Sequence, residues 1–222
     1  WRVEAAIHEV KDHSIGALRR QLAESRGVLG PHLRLYQVHS ATLESGVLES
    51  RPVLAELAHL GQHGMAIGLS LSGPDQAEVA RRALAVEVDG VNPFTCVQAT
   101  WNLLETSVGS ALAEAHSAGW GVIIKEALAN GRLTPGGSEP ALTLLRQVAQ
   151  EHGTTPDVVA IAAAMAQPWT DMVLSGAATA TQVRSNAAAA EITLSDVELA
   201  RLERLASDPF QYWNNRRETP WT

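Results

Sequence analysis

Residues 33–72 read LRLYQVHSATLESGVLESRPVLAELAHLGQHGMAIGLSLS. LRLYQVH (33–39) reads as a strand. Residues 52–63 read as a helix, with Pro52 suited to a first turn, where a missing N–H costs nothing. MAIGLSLS (65–72) reads as a buried strand running into a polar turn. Strand, helix, strand is a parallel βαβ unit, because parallel neighbours need a long crossover between them. The pattern continues on both sides. Upstream, residues 14–29 place Ile15, Leu18, Leu22 and Leu29 near one helical face, with Arg19, Arg20 and Glu24 elsewhere, and Pro31 after Gly30 ends that helix. Downstream, 74–85 is helical, FTCVQA (94–99) a strand, 107–118 a helix and WGVII (120–124) a strand. A loop, NGRLTPGGSEP (130–140), leads into a helix at 140–152. Thr155-Pro156-Asp157 opens another with a capping hydroxyl, Pro at the first position and an acid at the positive end. DMVL (171–174) is a last short strand, 179–190 a helix, and Ser195 with Glu198 has capping-box spacing ahead of a helix at 196–207. Residues 208–222 form an aromatic tail expected to pack on the surface.

The 222 residues, 45% hydrophobic and 18% charged, fit one globular α/β domain spanning 1–222. A net charge of −7, with no basic run longer than two, argues against nucleic-acid or anionic-membrane partners. No apolar stretch reaches membrane-spanning length, and no basic-then-apolar leader opens the chain. The chain starts on Trp1 rather than Met, which fits a processed chain or a fragment. A lone cysteine, Cys96, fits a reducing compartment and a cytoplasmic protein; inside an apolar strand it reads as core rather than nucleophile.

Five parallel strands suit an open doubly wound sheet or part of a closed barrel. The G-x-G-x-x-G fingerprint of the former is absent: Gly61, Gly64, Gly68 and Gly73 do not match it. A (β/α)8 barrel needs three more strands, which an N-terminal part beyond this chain would supply. In a barrel, chemistry gathers at the C-terminal strand ends, which are His39, Ser70, Gln98, Lys125 and Ser175. A polar residue also ends a strand simply because strands end at water, but here five successive strands end alike. His39 is the strongest of them, since an imidazole titrates near neutrality and can donate a hydrogen bond to a carbonyl oxygen. The remaining seven histidines form no H-E-x-x-H pattern, so no metal site is expected. No G-x-S-x-G elbow or phosphate-binding P-loop occurs. In SGAATATQVRSN (175–186) a strand end and a small-residue turn precede a helix. Helix N-termini bind phosphate, and Gln182 and Asn186, four apart, share a face. Two amides there suit an adenine edge; a polar surface helix is the plainer reading.

Together these segments resemble the aldo-keto reductase family. LYQVHS (35–40) resembles the family's fourth-strand motif ending in the catalytic histidine, here His39. IGLS (67–70) and VQATWNLLE (97–105) resemble the motifs whose serine and glutamine hold the nicotinamide carboxamide, here Ser70 and Gln98. GVIIKEALANGRLT (121–134) resembles the seventh-strand motif with P-L-A-x-G-x-L-T, placing Lys125, Leu128 and Gly131 along the cofactor. SGAATATQVRSN resembles the adenosine-phosphate motif, implying cofactor contacts from Gly176, Thr179, Gln182 and Asn186. TLSDVELARL (193–202) resembles the C-terminal L-S-x-E-E motif.

The resemblance implies an α/β fold of the aldo-keto reductase (β/α)8 type with its N-terminal strands missing, and an NAD(P)H-dependent reduction of an aldehyde or ketone. NADP is the implied cofactor and NAD the alternative: no cation lies between Ala177 and Thr181, and Arg184 is the nearest. The family's Asp, Tyr and Lys have no match here; Lys11 lacks the strand-ending context and Tyr36 lies inside a strand. The fragment alone is therefore expected to be inactive. Trp101, where the family often has Tyr, is expected to line the substrate pocket or pack the barrel. Leu71, Lys125 and Glu126 depart from the usual Asn, aromatic and Ser, which leaves open a second reading, a nucleotide-binding module with weak catalysis or a regulatory role. A chain with five of eight strands leaves two sheet edges uncovered and is expected to aggregate alone.

Overall fold

The computed structural model describes residues 12–137 and 142–218. His8 and Lys11, the start of the expected helix at 140–152, and the end of the aromatic tail lie outside the described residues. Helix α1 (Ile15–Leu29) leads to β1 (Leu35–Ala41), α2 (Arg51–Gln62), β2 (Ala66–Leu71), α3 (Gln76–Leu84), β3 (Cys96–Thr100), α4 (Gly109–Ser117) and β4 (Gly121–Lys125). Helices α5 (Leu142–Glu151) and α6 (Pro156–Met165) precede β5 (Met172–Val173), followed by α7 (Ala180–Ala187), α8 (Asp196–Glu203) and α9 (Pro209–Glu218).

All five expected strands form, in one parallel sheet ordered β1-β2-β3-β4-β5. An order that follows the chain step by step is a walk around a barrel; a doubly wound sheet reverses at a switch point. Among the described residues the sheet is not closed. The outer, helix-covered face is sealed by Ile67, Leu69, Val97, Ala99, Val122 and Ile124, all fully buried. Against it pack Leu57 and Leu60 of α2, Val79 and Ala83 of α3, and Leu112 and Ala115 of α4, which also lie in the core. Burying one such side chain contributes about 1.5–3 kcal/mol, so this face carries much of the fold's stability.

The opposite, inner face carries the polar residues. Gly68 is required there: a Cβ would sit 3.1 Å from the Cys96 carbonyl oxygen and 3.1 Å from Gln37 Cγ. The side chain of Gln37 therefore crosses β2 where β2 has none.

Most local signals act as the sequence implies; Thr155 is the N-cap of α6, but its hydroxyl makes no capping bond, and Pro156 and Asp157 mark that start instead. The Ser14 hydroxyl accepts from the Ala17 N–H at 3.2 Å and starts α1. Thr179 and Ser195 build capping boxes with Gln182 and Glu198. The first strand begins two residues later than expected, because Gly30–His32 tightens into a 3-10 turn closed by Leu33 N–H on the Gly30 carbonyl. The tail packs on the domain as a helix, α9, and one side of it is core: Tyr212 is 1% exposed.

Candidate functional site

Because the five strands run parallel, their C-terminal ends lie along one edge of the sheet, and these ends carry His39, Ser70, Gln98, Lys125 and, just past β5, Ser175. His39 is exposed and sits on a distortion. Val38 pairs with Leu69 and Ala41 with Leu71, three steps against two, so β1 carries an extra residue. Ser40 takes it up with φ of +48°. Bulges of this kind re-aim neighbouring side chains and are common beside active sites. The His39 carbonyl accepts from His13 Nε2 at 2.8 Å, which ties the bulge to the segment before α1.

Ser70 and Gln98 are Cα partners in the β2–β3 ladder. Ser70 is buried and Gln98 half-buried. Neither side chain hydrogen-bonds another described residue. A hydroxyl and a carboxamide, side by side and without partners among the described residues, form a donor–acceptor pair fitted to a planar amide. Two register positions on, Lys125 pairs with Thr100, and its Nζ donates to Ser72 Oγ at 3.1 Å.

Beyond β4 the backbone turns through left-handed positions at Glu126, Ala129, Asn130 and Gly131. Leu128 and Gly131 lie in this turn, where the Leu128 carbonyl accepts from the N–H groups of Gly131 and Leu133. Glu126 accepts from Arg216 on α9, at 3.3 and 3.4 Å, and from Asn130.

Helix α7 is exposed along its N-terminal half. Gly176 turns at φ of +62°. Thr179 Oγ1 accepts from the Gln182 N–H, and Gln182 Oε1 accepts from the N–H groups of Ala178 and Thr179 at 2.8 and 3.1 Å. The two amides read as sharing a face differ in use. Gln182 caps its own helix through its oxygen, leaving its NH2 outward, whereas Asn186 is buried and donates to Ser175 at 2.9 and 3.0 Å. Ser185 donates to buried Asp157 on α6 at 2.8 Å, a second pin on α7.

Trp101 directly follows the last residue of β3. It is 5% exposed, packs edge-on against Trp169 at 5.8 Å and lies over Gly109 at the start of α4. Asn102, the next residue, was not singled out by sequence reasoning and proves central. It is fully buried, donates to the Glu126 carbonyl and the Tyr212 hydroxyl at 3.0 Å each, and accepts from the Leu104 and Glu105 N–H groups. One amide thus joins the ends of β3 and β4 to α9. Arg132 stands over the Tyr212 ring, 5.3 Å from its centroid, and burial pushes the Tyr212 phenol far up from its ordinary range. The bonds of Asn102 to Glu126 and Tyr212, 24 and 110 positions away, leave no local pattern to read.

Among the described residues no helix is long and apolar enough to cross a membrane, and no group of three His, Cys, Asp or Glu is placed to hold a metal ion.

No curated protein matches the chain. Among solved structures it is similar to the thermostable aldo-keto reductase Tm1743, determined with the inhibitor epalrestat, at 23% identity and a TM-score of 0.66, over 86% of this chain and 66% of that one. It is also similar to aldo-keto reductase AKR11C1 from Bacillus halodurans. The holo form matches at 20% identity and a TM-score of 0.73, over 93% and 70% of the two chains. The apo form matches at 19% and 0.68, over 87% and 69%. The chain thus spans about two thirds of the length of these structures. The sequence matches the Aldo/keto reductase family over residues 5–207, nearly its whole length. With its five strands laid out in the order of that family's barrel, the chain belongs to the aldo/keto reductase family.

Proposed function

We propose that the protein, complete with its barrel, is an oxidoreductase that reduces a small aldehyde or ketone with NADPH, NADH being the alternative donor. The observation that carries this reading is the Ser70–Gln98 pair: neighbouring, sheltered and without side-chain hydrogen bonds to other described residues. A nicotinamide carboxamide offers one acceptor and two donors, which a hydroxyl and a side-chain amide can meet. When bound, the nicotinamide supplies a hydride.

Each residue of this chain has a task in that scheme. Ser70 and Gln98 fix which ring face looks toward the substrate, and such orientation contributes several kcal/mol, on the order of a hundredfold or more in rate. His39, exposed on its bulge, donates a hydrogen bond to the substrate carbonyl oxygen and helps hold it in place. Leu128 and Gly131 in the left-handed turn, with Gly176, Thr179 and Gln182 ahead of and on α7, line the course of the diphosphate and adenosine. Asn186 serves by locking that helix to Ser175. Arg184, exposed on α7, is the cation nearest for a 2′-phosphate. Trp101 backs the pocket from the core rather than from its surface.

Lys125 stands where the resemblance expects a ring-stacking aromatic, and its ammonium is engaged with Ser72. That observation favours the second reading, a module that binds the nucleotide and turns over poorly. Titration of the full-length protein with NADPH and NADH, followed by a panel of aldehydes and ketones, separates the two. Quenched protein fluorescence together with loss of nicotinamide absorbance supports the oxidoreductase. Quenching without absorbance loss supports the module, and no quenching with either nucleotide contradicts both.

A further inference from the structure

Helix α2 runs from the C-terminal end of β1 back to the N-terminal end of β2, so its last turn lies at the edge of the sheet opposite the candidate site. That turn carries His59 and His63, the two ends of the run HLGQH. The spacing is H-x-x-x-H without the Glu of H-E-x-x-H, and positions four apart on a helix share a face. Both histidines are exposed, and their ring centroids stand 4.3 Å apart with the planes tilted by 49°. The backbone beneath them is pinned. The N–H groups of His63 and Met65 both donate to the Leu60 carbonyl, at 3.1 and 3.2 Å, and Gly64, at φ of +85°, donates to the Gly61 carbonyl at 3.0 Å. The His63 ring is held too, with Nδ1 2.8 Å from the His59 carbonyl oxygen. A carbonyl oxygen only accepts, so Nδ1 carries the proton, and the lone pair of the neutral ring is left on Nε2. Metal-binding histidines are oriented in this way, by an acceptor on their other nitrogen. Among the described residues nothing takes a ring nitrogen of His59 in a hydrogen bond or ion pair. Two nitrogens bound to one ion at about 2.0–2.1 Å each lie roughly 3 Å apart, and rings this close reach that separation by rotating about their side-chain bonds. The carbonyls at a helix C-terminus place partial negative charge there, and the chain carries a net charge of −7; both favour a bound cation.

We propose that His59 and His63 chelate a divalent transition-metal ion of the class that prefers imidazole, such as Cu²⁺ or Zn²⁺, with water completing its shell. Two protein ligands make this an exchangeable surface site, separate from the dinucleotide and independent of the oxidoreductase reading. The test is calorimetric titration of the full-length, untagged protein with CuCl2, ZnCl2 and MgCl2, repeated on His59→Ala, His63→Ala and, as a control, His32→Ala, another exposed histidine. All three side chains are exposed, so the metal-free variants keep the parent's Tm, which is measured on the same samples. The expected result is one tight Cu²⁺ per chain, weaker Zn²⁺ and no Mg²⁺, in the order that imidazole ligands impose. His59→Ala and His63→Ala each weaken Cu²⁺ at least tenfold, because chelation needs both rings, while His32→Ala changes nothing. Cu²⁺ raises the parent's Tm, since it binds only the folded pair, and the rise is lost in both variants. Electron paramagnetic resonance of the copper complex shows two imidazole nitrogens in the parent and one in either variant. Copper that stays equally tight in His59→Ala or in His63→Ala overturns the proposal, as does a parent spectrum with a single imidazole or Mg²⁺ binding as tightly as Cu²⁺.

Discussion

Glu105 is fully buried beneath α9, and among the described residues one of its carboxylate oxygens has only the Trp213 indole N–H near it, outside good hydrogen-bond geometry. Burial raises its pKa above the ordinary 4.5, although the N–H and hydroxyl of Ser107 pull the other way. A carboxyl raised by folding contributes stability while protonated, and that contribution is lost as pH climbs from the ordinary value through the folded one. Glu105→Gln keeps an acceptor for Ser107 and removes the titration. The variant should match the parent in Tm near pH 4 and exceed it near pH 8 by about 2–4 °C, the scale of about 1 kcal/mol for one unmet buried acceptor. A variant less stable at the higher pH contradicts this account of Glu105. Ser70 and Gln98 pose the complementary case, side chains without hydrogen bonds to other described residues. Ser70→Ala and Gln98→Ala should each weaken NADPH binding about tenfold, equivalent to about 1.4 kcal/mol, with little change in Tm. Unchanged dissociation constants in both variants would remove the nicotinamide from this pair.

At the scale of elements, the end of β3 is held by a side chain standing in for a strand. Gln76, fully buried at the start of α3, donates to the Thr100 carbonyl at 2.8 Å and accepts from the Thr100 N–H at 3.2 Å. Gln76→Leu leaves both backbone groups buried and unpaired, which should destabilise by about 2–4 kcal/mol in denaturant unfolding. A loss under about 0.5 kcal/mol would show that water replaces the amide. Gly68→Ala should be costly too, because the Cys96 carbonyl oxygen, being backbone, cannot move aside for a new methyl.

These two residues also mark what the sequence could and could not disclose. The five strands were legible because each is an apolar run closed by a polar residue, and helices such as those begun by Ser14, Thr155-Pro156 and Ser195 announce their starts locally. The bulge at His39–Ser40 was not legible, since a strict alternation cannot show that one residue is extra. Nor were the clamps of Gln76 on Thr100 and Asn102 on Tyr212, which join residues 24 and 110 positions apart. In the candidate site, Ser70 and Gln98 could be read as strand ends, whereas the differing roles of Gln182 and Asn186 depend on which groups the turn at 175–179 presents to them. Trp101, which the resemblance offers either to the substrate pocket or to barrel packing, has its indole packed edge-on against Trp169.

For the whole molecule, the sheet has helices sealing its outer face, while β1 and β5 each have a side without a strand partner among the described residues. Beside β5, Met172 is 55% exposed, Leu174 40% and Val183 53%. Unpaired edges next to apolar surface favour association. The 222-residue chain purified alone should therefore elute larger than a monomer or unfold without a sharp transition, and a monomer with a cooperative melt contradicts this. The central claim is spatial: segments far apart in sequence converge on one dinucleotide. Hydrogen–deuterium exchange of the full-length protein with and without NADPH tests it most directly. The account predicts simultaneous protection at three places, the C-terminal ends of β2 and β3, the turn at 126–134, and the segment 175–186. Protection confined to one of these segments, or scattered over the outer helices, would contradict it.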